Sequence, residues 1–434
     1  MAEQRQKKIS ERDIALDILL DMERSGRLSS QALEDGLRKI QFEKKESRAF
    51  VSRLVEGTTE YRLQLDAVLD HYAKVPVAKQ KPKVRCILRM SAYQMLYMDS
   101  VPDRAAISEA VRMMRAQHFD GLSGVVNGIL RSVQRGIEAG DVAALTGSCL
   151  SLRYSTPKWL VDRLAEEYGT EKAETILASS FTDRLLTIRC NQKKQSPSEL
   201  RAFLEERDVS VHPGKISSMA LQIENVDFVR KLPGYREGRF SVQDESSMRM
   251  VEALGILPSE ECRLLDVCAA PGGKSCFAAE LGALVTSRDV SEEKADRIRE
   301  NAERLGLMLQ VEVQDATKPS EADREAYDIV LADVPCSGLG VMGRKNDIKY
   351  HVTPESVTEL AVLGQRILDT SAEYVRKGGR LMFSTCTILR EENQEAAERF
   401  LMRHPEYQKV KEMQFLQGID PCDGFYFCLM ERVS

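Results

Sequence analysis

The 434-residue sequence contains no apolar run that approaches the ~20 residues of a membrane-spanning helix. Its first residues, MAEQRQKKISERD, are polar and charged and lack the apolar centre of a signal peptide. No two of its 10 cysteines have the C-x-x-C spacing typical of zinc sites, and the P-loop pattern G-x-x-x-x-G-K-[ST] is absent. We therefore expect a cytoplasmic protein without a metal, a membrane anchor or a P-loop nucleotide site.

Length and charge distribution suggest several domains and a basic N-terminal part. The chain is too long for one ordinary hydrophobic core, so we expect two or three domains. The net charge is −5, yet residues 1–140 contain 24 Lys and Arg against 19 Asp and Glu. The stretch from His71 to Met98 has no acidic residue and six basic ones, Lys74, Lys79, Lys81, Lys83, Arg85 and Arg89. Such a patch fits a phosphate backbone, and it fits a solvated surface equally well.

Hydrophobic periodicity divides the chain into three regions. Apolar residues recur at helical spacing through residues 10–137, which predicts an all-α domain at 1–137 followed by a linker at 138–150. Residues 151–235 predict a small α+β module, with one helix capped by Thr156 and a second capped helix at SPSELRAFLEER. From 236 to 434 short apolar runs alternate with helical segments. This pattern predicts an α/β domain with a doubly wound, mainly parallel sheet.

The first strand of the α/β region, RLLDV, runs into a glycine-rich loop. That loop is Cys268-Ala269-Ala270-Pro271-Gly272-Gly273-Lys274, and it is not the G-x-G-x-x-G fingerprint of a dinucleotide enzyme. Glycines let backbone approach a ligand closely, and the first amides of the following helix can bind a carboxylate. S-adenosylmethionine carries such a carboxylate on its amino-acid tail. We therefore interpret the loop as a cofactor site.

Acidic residues follow four successive strands. Asp266 and Asp289 end the first two strands, Asp315 follows the third, and Asp333 ends the fourth. An acid about 20 residues after a glycine-rich loop is where a ribose diol is usually held. Asp315 is then placed to accept the adenine amino group. Together with the loop, this series indicates a site for an adenosine cofactor.

Two cysteines leave strand ends on the same ligand side of the sheet. Cys336 follows Asp333 in the run D-V-P-C-S-G, and Cys386 lies in S-T-C-T after the fifth strand. Carbon 5 of cytosine is a poor nucleophile until a thiolate adds to carbon 6, whereas methylation of nitrogen or oxygen needs no thiolate. That chemistry needs one nucleophilic cysteine, an acid at N3 such as Asp333, and a base that releases the product.

These motifs resemble those of the Nol1/Nop2/Sun family of RNA cytosine-C5 methyltransferases. Further matches are V-Q-D at 242–244, D-I-K-Y at 347–350 and D-G-F-Y at 423–426, so the resemblance covers roughly 235–434. It implies a Rossmann-like methyltransferase domain with Cys386 as nucleophile and Cys336 needed for product release. It also implies S-adenosylmethionine contacts from residues 268–274, Asp289, Asp315 and Asp333. We expect Lys349 to contact RNA phosphate.

The N-terminal region resembles the NusB family of helical RNA-binding domains. The matching pieces are RAFV and LVEG at 48–57, ILRMSAY at 87–93 and VNGILR at 126–131. A NusB-like domain before this catalytic domain implies an enzyme whose partner is 16S ribosomal RNA, methylated at one cytosine. Separately, we expect a monomer. Three alternatives remain: a tRNA or large-subunit rRNA target, an inactive RNA-binding assembly factor, or DNA cytosine methylation with Cys336 as nucleophile.

Overall fold

The computed structural model describes residues 10–38, 44–182, 184–226, 228–257 and 261–433. Their contacts divide the chain into two compact units. The helical unit contains the described residues up to Leu177 together with Arg344–His351, and the sheet unit contains the rest. Residues 1–9 of the predicted first domain lie outside the described part. No helix in the described ranges is long and apolar enough to cross a membrane.

Seventeen α-helices and eleven strands are described. The helices are α1 Glu11–Ser25, α2 Ser29–Arg38, α3 Lys45–Glu60, α4 Arg62–Tyr72, α5 Pro82–Tyr97, α6 Asp103–Ala116, α7 Asp120–Ala139, α8 Asp141–Thr146, α9 Leu150–Arg153, α10 Lys158–Tyr168, α11 Thr170–Ser179, α12 Pro197–Glu205, α13 Glu245–Glu252, α14 Gly273–Leu281, α15 Glu292–Leu305, α16 Pro354–Ala372 and α17 Gln394–Arg403. The strands are β1 Leu186–Cys190, β2 Val211–Pro213, β3 Ala220–Ile223, β4 Phe240–Val242, β5 Arg263–Asp266, β6 Leu284–Asp289, β7 Gln310–Val313, β8 Tyr327–Asp333, β9 Val375–Thr385, β10 Tyr407–Phe415 and β11 Phe425–Arg432.

The all-α prediction for the N-terminal region is confirmed. Helix α1 begins with a capping box in which Ser10 and Asp13 satisfy each other's backbone amides. The predicted linker at 138–150 is wrong, because α7 continues to Ala139 and α8 and α9 occupy most of the rest. Gly140 has a φ of +82°, which ends α7 and lets the chain restart as a helix at Asp141.

The cap assigned to Thr156 is also wrong. Helix α10 begins at Lys158 after Pro157, and no side chain caps its first turn. The Thr156 hydroxyl instead donates to the Tyr154 carbonyl oxygen at 2.7 Å. Proline therefore sets this helix start through its fixed φ, without a side-chain hydrogen bond.

Two sheets follow in the sheet unit. Strands β1–β4 form a small antiparallel sheet in the order β2-β3-β1-β4. Helix α12 accompanies that sheet and begins at the predicted cap, Ser196, with a capping box. The larger sheet has the order β10-β11-β9-β8-β5-β6-β7, in which β5 to β9 are parallel. The mainly parallel α/β prediction is confirmed, and the antiparallel strands β10 and β11 were not predicted.

Helices cover both faces of the larger sheet, and β8 shows how the sequence directs this. Val330 and Ala332 point to one face, where Leu368 of α16 and Phe400 of α17 complete the core. Leu331 points to the opposite face, with Phe277 of α14 and Met248 of α13. A strand buried on both faces needs a continuous apolar run, and YDIVLAD supplies one. Burial of these residues fixes where the polar residues after each strand emerge.

Candidate active site

The carboxyl ends of β5, β6, β8 and β9 lie along one edge of the larger sheet. Strands β5 and β8 are neighbours although β6 and β7 separate them in sequence, so the winding direction changes between them. Ligands of doubly wound sheets bind at this switch point. The predicted loop 268–274 follows β5, Asp333 ends β8, and Cys386 comes directly after β9.

The loop after β5 is shaped to present backbone amides. Gly272 has a φ of +96°, and a Cβ there would lie only 3.3 Å from the Ile298 Cα atom. Helix α14 begins at Gly273 without a side-chain cap. Within the described ranges, the amides of Gly273, Lys274 and Ser275 have no backbone acceptor. Such amides are ready donors for a carboxylate, so this turn fits the amino-acid tail of S-adenosylmethionine.

Asp266 is a structural residue of this loop. It is buried, and its carboxylate accepts from the Ser275 hydroxyl at 2.6 Å and from the Cys268 amide at 3.4 Å. Burial raises the pKa of Asp266 to about 7 even though the hydrogen bond from Ser275 acts in the opposite direction. The carboxylate thus ties the start of α14 to the end of β5.

Asp289 and Asp315 lie in different surroundings. Asp289 ends β6 and accepts the Ala270 amide at 3.0 Å and the Val290 amide at 2.8 Å, so it braces the loop from the neighbouring strand. Asp315 follows β7 and accepts the Thr317 hydroxyl at 2.7 Å, which lowers the pKa of its carboxyl. Of these two acids, only Asp289 has a hydrogen bond to the predicted loop among the described contacts.

A lysine–carboxylate pair joins the loop to β8. Lys274 Nζ lies 2.6 Å from Asp333 Oδ2, and the Ser384 hydroxyl donates to Asp333 Oδ1 at 2.7 Å. Burial alone would lower the pKa of Lys274, but the Asp333 carboxylate outweighs it and raises the pKa, with a smaller contribution from Cys386. The site therefore holds a stable ammonium group close to Cys386, and a nearby cation favours a thiolate.

The side chains of the two predicted cysteines, Cys336 and Cys386, are in contact. Their Sγ atoms are 3.4 Å apart although 50 residues separate Cys336 and Cys386 in sequence. The hydrogen bond to Cys386 and burial raise the pKa of the Cys336 thiol well above its ordinary value. Two sulfur atoms at this distance cannot both carry a charge readily, so their ionisations are coupled.

Sequence reasoning missed Glu392, which holds the two cysteine loops together. Its buried carboxylate accepts from the Ser337 amide at 2.7 Å and the Ser337 hydroxyl at 2.6 Å. Ser337 also shares a 2.7 Å hydrogen bond with Thr387. Ser337 and Thr387 each follow a site cysteine directly. A signal was present, because an acid pair, Glu391-Glu392, comes shortly after the S-T-C-T motif.

Arg189 and Glu280 were missed as well. Both side chains are fully buried, and they form a 2.7 Å ion pair. Arg189 also donates to the Gly273 carbonyl oxygen at 3.0 Å, so a residue of β1 supports the first turn of α14. A lone arginine in the strand LTIRC gave no indication of this contact. Its partner is 91 residues away in sequence.

The expectation that Lys349 contacts RNA phosphate is wrong in this structure. Lys349 is only 1% exposed and donates to the Tyr154 carbonyl oxygen within the helical unit. Its neighbours are held equally firmly: Asp347 accepts the Ser29 amide at 2.6 Å, and the Tyr350 hydroxyl donates to the Ser155 carbonyl oxygen at 2.6 Å. The D-I-K-Y motif is thus part of the packing of the helical unit.

The basic residues of the run at 71–98 are also less available to a phosphate backbone than the sequence suggests. Arg85 forms an ion pair with Glu23, and Arg89 forms ion pairs with Glu23 and Asp66. Lys81 lies 5.2 Å from the centre of the Phe119 ring. Within the described ranges, Lys74, Lys79 and Lys83 are the exposed basic residues of this run that have neither an ion pair nor an aromatic contact.

Comparison with protein families gives three matches along the chain. Residues 253–423 match the 16S rRNA methyltransferase RsmB/F family, and residues 9–135 match the NusB family. Residues 156–228 match the ferredoxin-like domain of RsmF/B-like methyltransferases. The two resemblances inferred from the sequence are confirmed.

Whole-chain relatives point to the same family. A probable ribosomal RNA small subunit methyltransferase B of Bacillus subtilis is 36% identical, covering 98% of this chain and 99% of its own. The ribosomal RNA small subunit methyltransferase B of Proteus mirabilis is 31% identical over 89% of this chain and 90% of its own. Among solved structures, PH0851 shares the fold with a TM-score of 0.80 at 23% identity, over 96% of this chain and 98% of its own. The chain belongs to the RsmB/F family of 16S rRNA methyltransferases.

Proposed function

We propose that this chain uses S-adenosylmethionine to methylate carbon 5 of a cytosine in 16S rRNA, with Cys386 as covalent nucleophile. The family resemblance supports cytosine 967 as the target that we propose. The observation that carries the proposal is the 3.4 Å approach of Cys336 and Cys386 at the strand ends, beside the Lys274–Asp333 pair. Methylation of a nitrogen or a ribose oxygen would need neither sulfur atom.

The reaction begins with addition of sulfur to the base. The Cys386 thiolate, favoured by the Lys274 ammonium, forms a bond to carbon 6, and the electron pair of the 5,6 double bond moves into the ring. Asp333 delivers a proton to N3. Asp333, whose oxygens accept from Lys274 and Ser384, takes the proton that the Cys386 thiol gives up and passes it to N3. Carbon 5 then has the electron density to attack a methyl group. N3 returns this proton when the 5,6 double bond is restored.

The cofactor supplies that methyl group as an electrophilic sulfonium. We assign its amino-acid tail to the free amides at the start of α14, its ribose to Asp289 and its adenine to Asp315. We also assign contacts with the cofactor to four further loop residues, Cys268, Ala269, Ala270 and Pro271. A crystal structure of NSun6 from Pyrococcus horikoshii with SFG has this fold, with a TM-score of 0.58 at 18% identity over 64% of this chain and 98% of its own.

Product release follows from the coupled ionisation of the two cysteines. While Cys386 can ionise, its neighbour Cys336 stays protonated, because a second charge 3.4 Å away is costly. Once Cys386 is bonded to carbon 6 it carries no charge, so Cys336 can give its proton to solvent and, as a thiolate, remove the proton from carbon 5. The electrons of that C–H bond restore the double bond, and the Cys386 thiolate leaves.

The remaining assignments are proposals of the same kind. We propose a cytoplasmic monomer with domains at 1–137, 151–235 and 236–434. A tRNA or large-subunit rRNA substrate is the alternative for the target, and the small-subunit names of the whole-chain relatives favour 16S rRNA.

The test is nucleoside analysis combined with bisulfite sequencing. The purified protein should convert cytosine to 5-methylcytosine in 16S rRNA, and deletion of its gene should remove the signal at one position. Label on a ring nitrogen or on ribose would refute the cysteine mechanism. If deletion of the gene left the 16S pattern unchanged and removed 5-methylcytosine from tRNA, the substrate would be tRNA and not 16S rRNA.

A further inference from the structure

An open groove on the helical unit is lined by arginines of α6 and α7. Its charged and polar lining side chains include Arg104, Arg112, Arg115, Asn127 and Arg131. No carboxylate lines it among the residues that the structure describes. On α6, positions 104, 112 and 115 share one helix face, and position 131 follows 127 by one turn of α7. The groove therefore carries positive charge along its length.

Most of this charge is available to a ligand. Arg112 is already paired, with Asp13 at 3.1 Å and Glu109 at 2.8 Å. Arg104, Arg115 and Arg131 are exposed, and none of them has an ion pair in the described part of the chain. Arg131 donates to the neutral Gln134 at 3.0 Å. Arg85 and Arg89 of the run at 71–98, by contrast, are neutralised by acids.

We propose that this groove binds the phosphate backbone of the RNA substrate. Arginine forms two parallel hydrogen bonds to a phosphate, and such contacts position an RNA without reading its sequence. Arg104 and Arg115 are eleven residues apart on one helix, which is about 16 Å along its axis. A single small anion cannot occupy that length, whereas successive phosphates of one strand can. The inference rests on the proposed RNA substrate and adds where that RNA is held.

The experiment compares two triple variants of the full-length protein that remove equal charge. The groove variant is Arg104→Gln/Arg115→Gln/Arg131→Gln, and the control is Lys74→Gln/Lys79→Gln/Lys83→Gln. Binding of a 16S rRNA fragment is measured without cofactor at several salt concentrations. Removing one arginine–phosphate interaction should reduce the salt slope by roughly 0.7 to 0.9, so we expect the slope of the groove variant, which lacks three arginines, to fall by about 2 to 3. Its KM for RNA should rise about tenfold or more while kcat stays within about twofold.

The outcomes separate this inference from the proposed function. If the groove variant binds RNA with the wild-type salt slope, or if the slope of the lysine control falls as much, the groove is not the phosphate site. If the wild-type protein forms no 5-methylcytosine but the groove variant alone fails to bind RNA, the chemistry fails and the groove assignment stands. Equal unfolding temperatures of all three proteins exclude a folding defect as the cause.

Discussion

A half-buried lysine of the sheet unit and a buried lysine of the helical unit have opposite electrostatic surroundings. Lys274 lies at the strand ends of the sheet unit, where the Asp333 carboxylate 2.6 Å away outweighs burial and raises its pKa. Lys349 lies in the helical unit, is 1% exposed and donates to a backbone carbonyl oxygen, and burial lowers its pKa to about 7. Both belong to motifs that the sequence singled out as functional. Only the first lies among groups that can do chemistry.

The two lysines differ in the kind of residue that surrounds each of them. At the end of β8, Lys274 pairs with Asp333 and the Sγ atoms of Cys336 and Cys386 lie 3.4 Å apart, so ionisable groups converge there. In the segment Arg344–His351, Asp347 accepts the Ser29 amide, and Tyr350 donates to the Ser155 carbonyl oxygen. Those contacts satisfy buried polar groups, which is a structural need. Lys274 thus bonds to an ionisable side chain, whereas Lys349 and Tyr350 bond to backbone carbonyl groups of the helical unit.

The largest expected effect comes from a substitution in the sheet unit, at the cysteine near Lys274. Cys386→Ala should lower kcat for methyl transfer by about 10⁴-fold or more, because the proposed mechanism assigns the bond to carbon 6 to the Cys386 thiolate. The binding constant for 16S rRNA should stay within about twofold, since the thiol contributes little to recognition. Single-turnover transfer of a labelled methyl group from S-adenosylmethionine measures the decrease.

Cys336→Ala is the matched variant, and it separates the two roles. It should still add to the base and transfer the methyl group, but the product cannot leave. A covalent protein–RNA adduct should then accumulate as a slow band on a denaturing gel. An adduct with Cys386→Ala and none with Cys336→Ala would reverse the assignments and favour the mechanism in which Cys336 is the nucleophile.

A smaller effect is expected from Lys274→Met, which removes the ammonium beside Asp333 and Cys386. We expect kcat to fall about 10²-fold, the range for removing one charged group aimed at the reacting atoms. Lys349→Met is the same substitution in the other unit and should leave kcat within about twofold. If kcat fell equally in both variants, Lys349 would belong to the chemistry and the contrast between the lysines would fail.

The sequence predicted the strand-end edge well, because each site residue follows an apolar run whose burial fixes its position. Asp266, Asp289 and Asp333 are last residues of strands, and the glycine loop has the positive φ that only glycine adopts easily. Lys349 could not be placed in the same way, since Tyr154, its own partner, and Ser29 and Ser155, the partners of Asp347 and Tyr350, are far away in sequence. Long-range pairs such as Arg189 with Glu280 leave no local periodicity either.

The next prediction concerns Glu392, a residue of the sheet unit that contacts neither the cytosine nor the cofactor in the proposed mechanism. Glu392→Gln keeps the shape but cannot accept from both the Ser337 amide and the Ser337 hydroxyl as a carboxylate does. The two cysteine loops should loosen, and we expect kcat to fall about 10- to 100-fold with little change in KM for RNA. Glu391→Gln, at the adjacent position, is the control. In a Cys336→Ala background, adduct formation should slow by the same factor. Unchanged adduct kinetics would reduce Glu392 to a packing role.

The smallest effect is a pH dependence of stability that Lys349 contributes to the helical unit. Its folded pKa of about 7 lies below the ordinary 10.5, so between these values the unfolded chain binds one proton more than the folded chain. The contribution of Lys349 to wild-type stability therefore rises with pH across that window, and Lys349→Met should lack this contribution. We expect the difference in unfolding temperature, wild type minus variant, to grow from about pH 6.5 to about pH 9.5. Lys83→Met, at an exposed position of α5, should leave the wild-type slope. Parallel curves for all three proteins would mean that Lys349 is solvated, and a phosphate contact by this lysine would again be open.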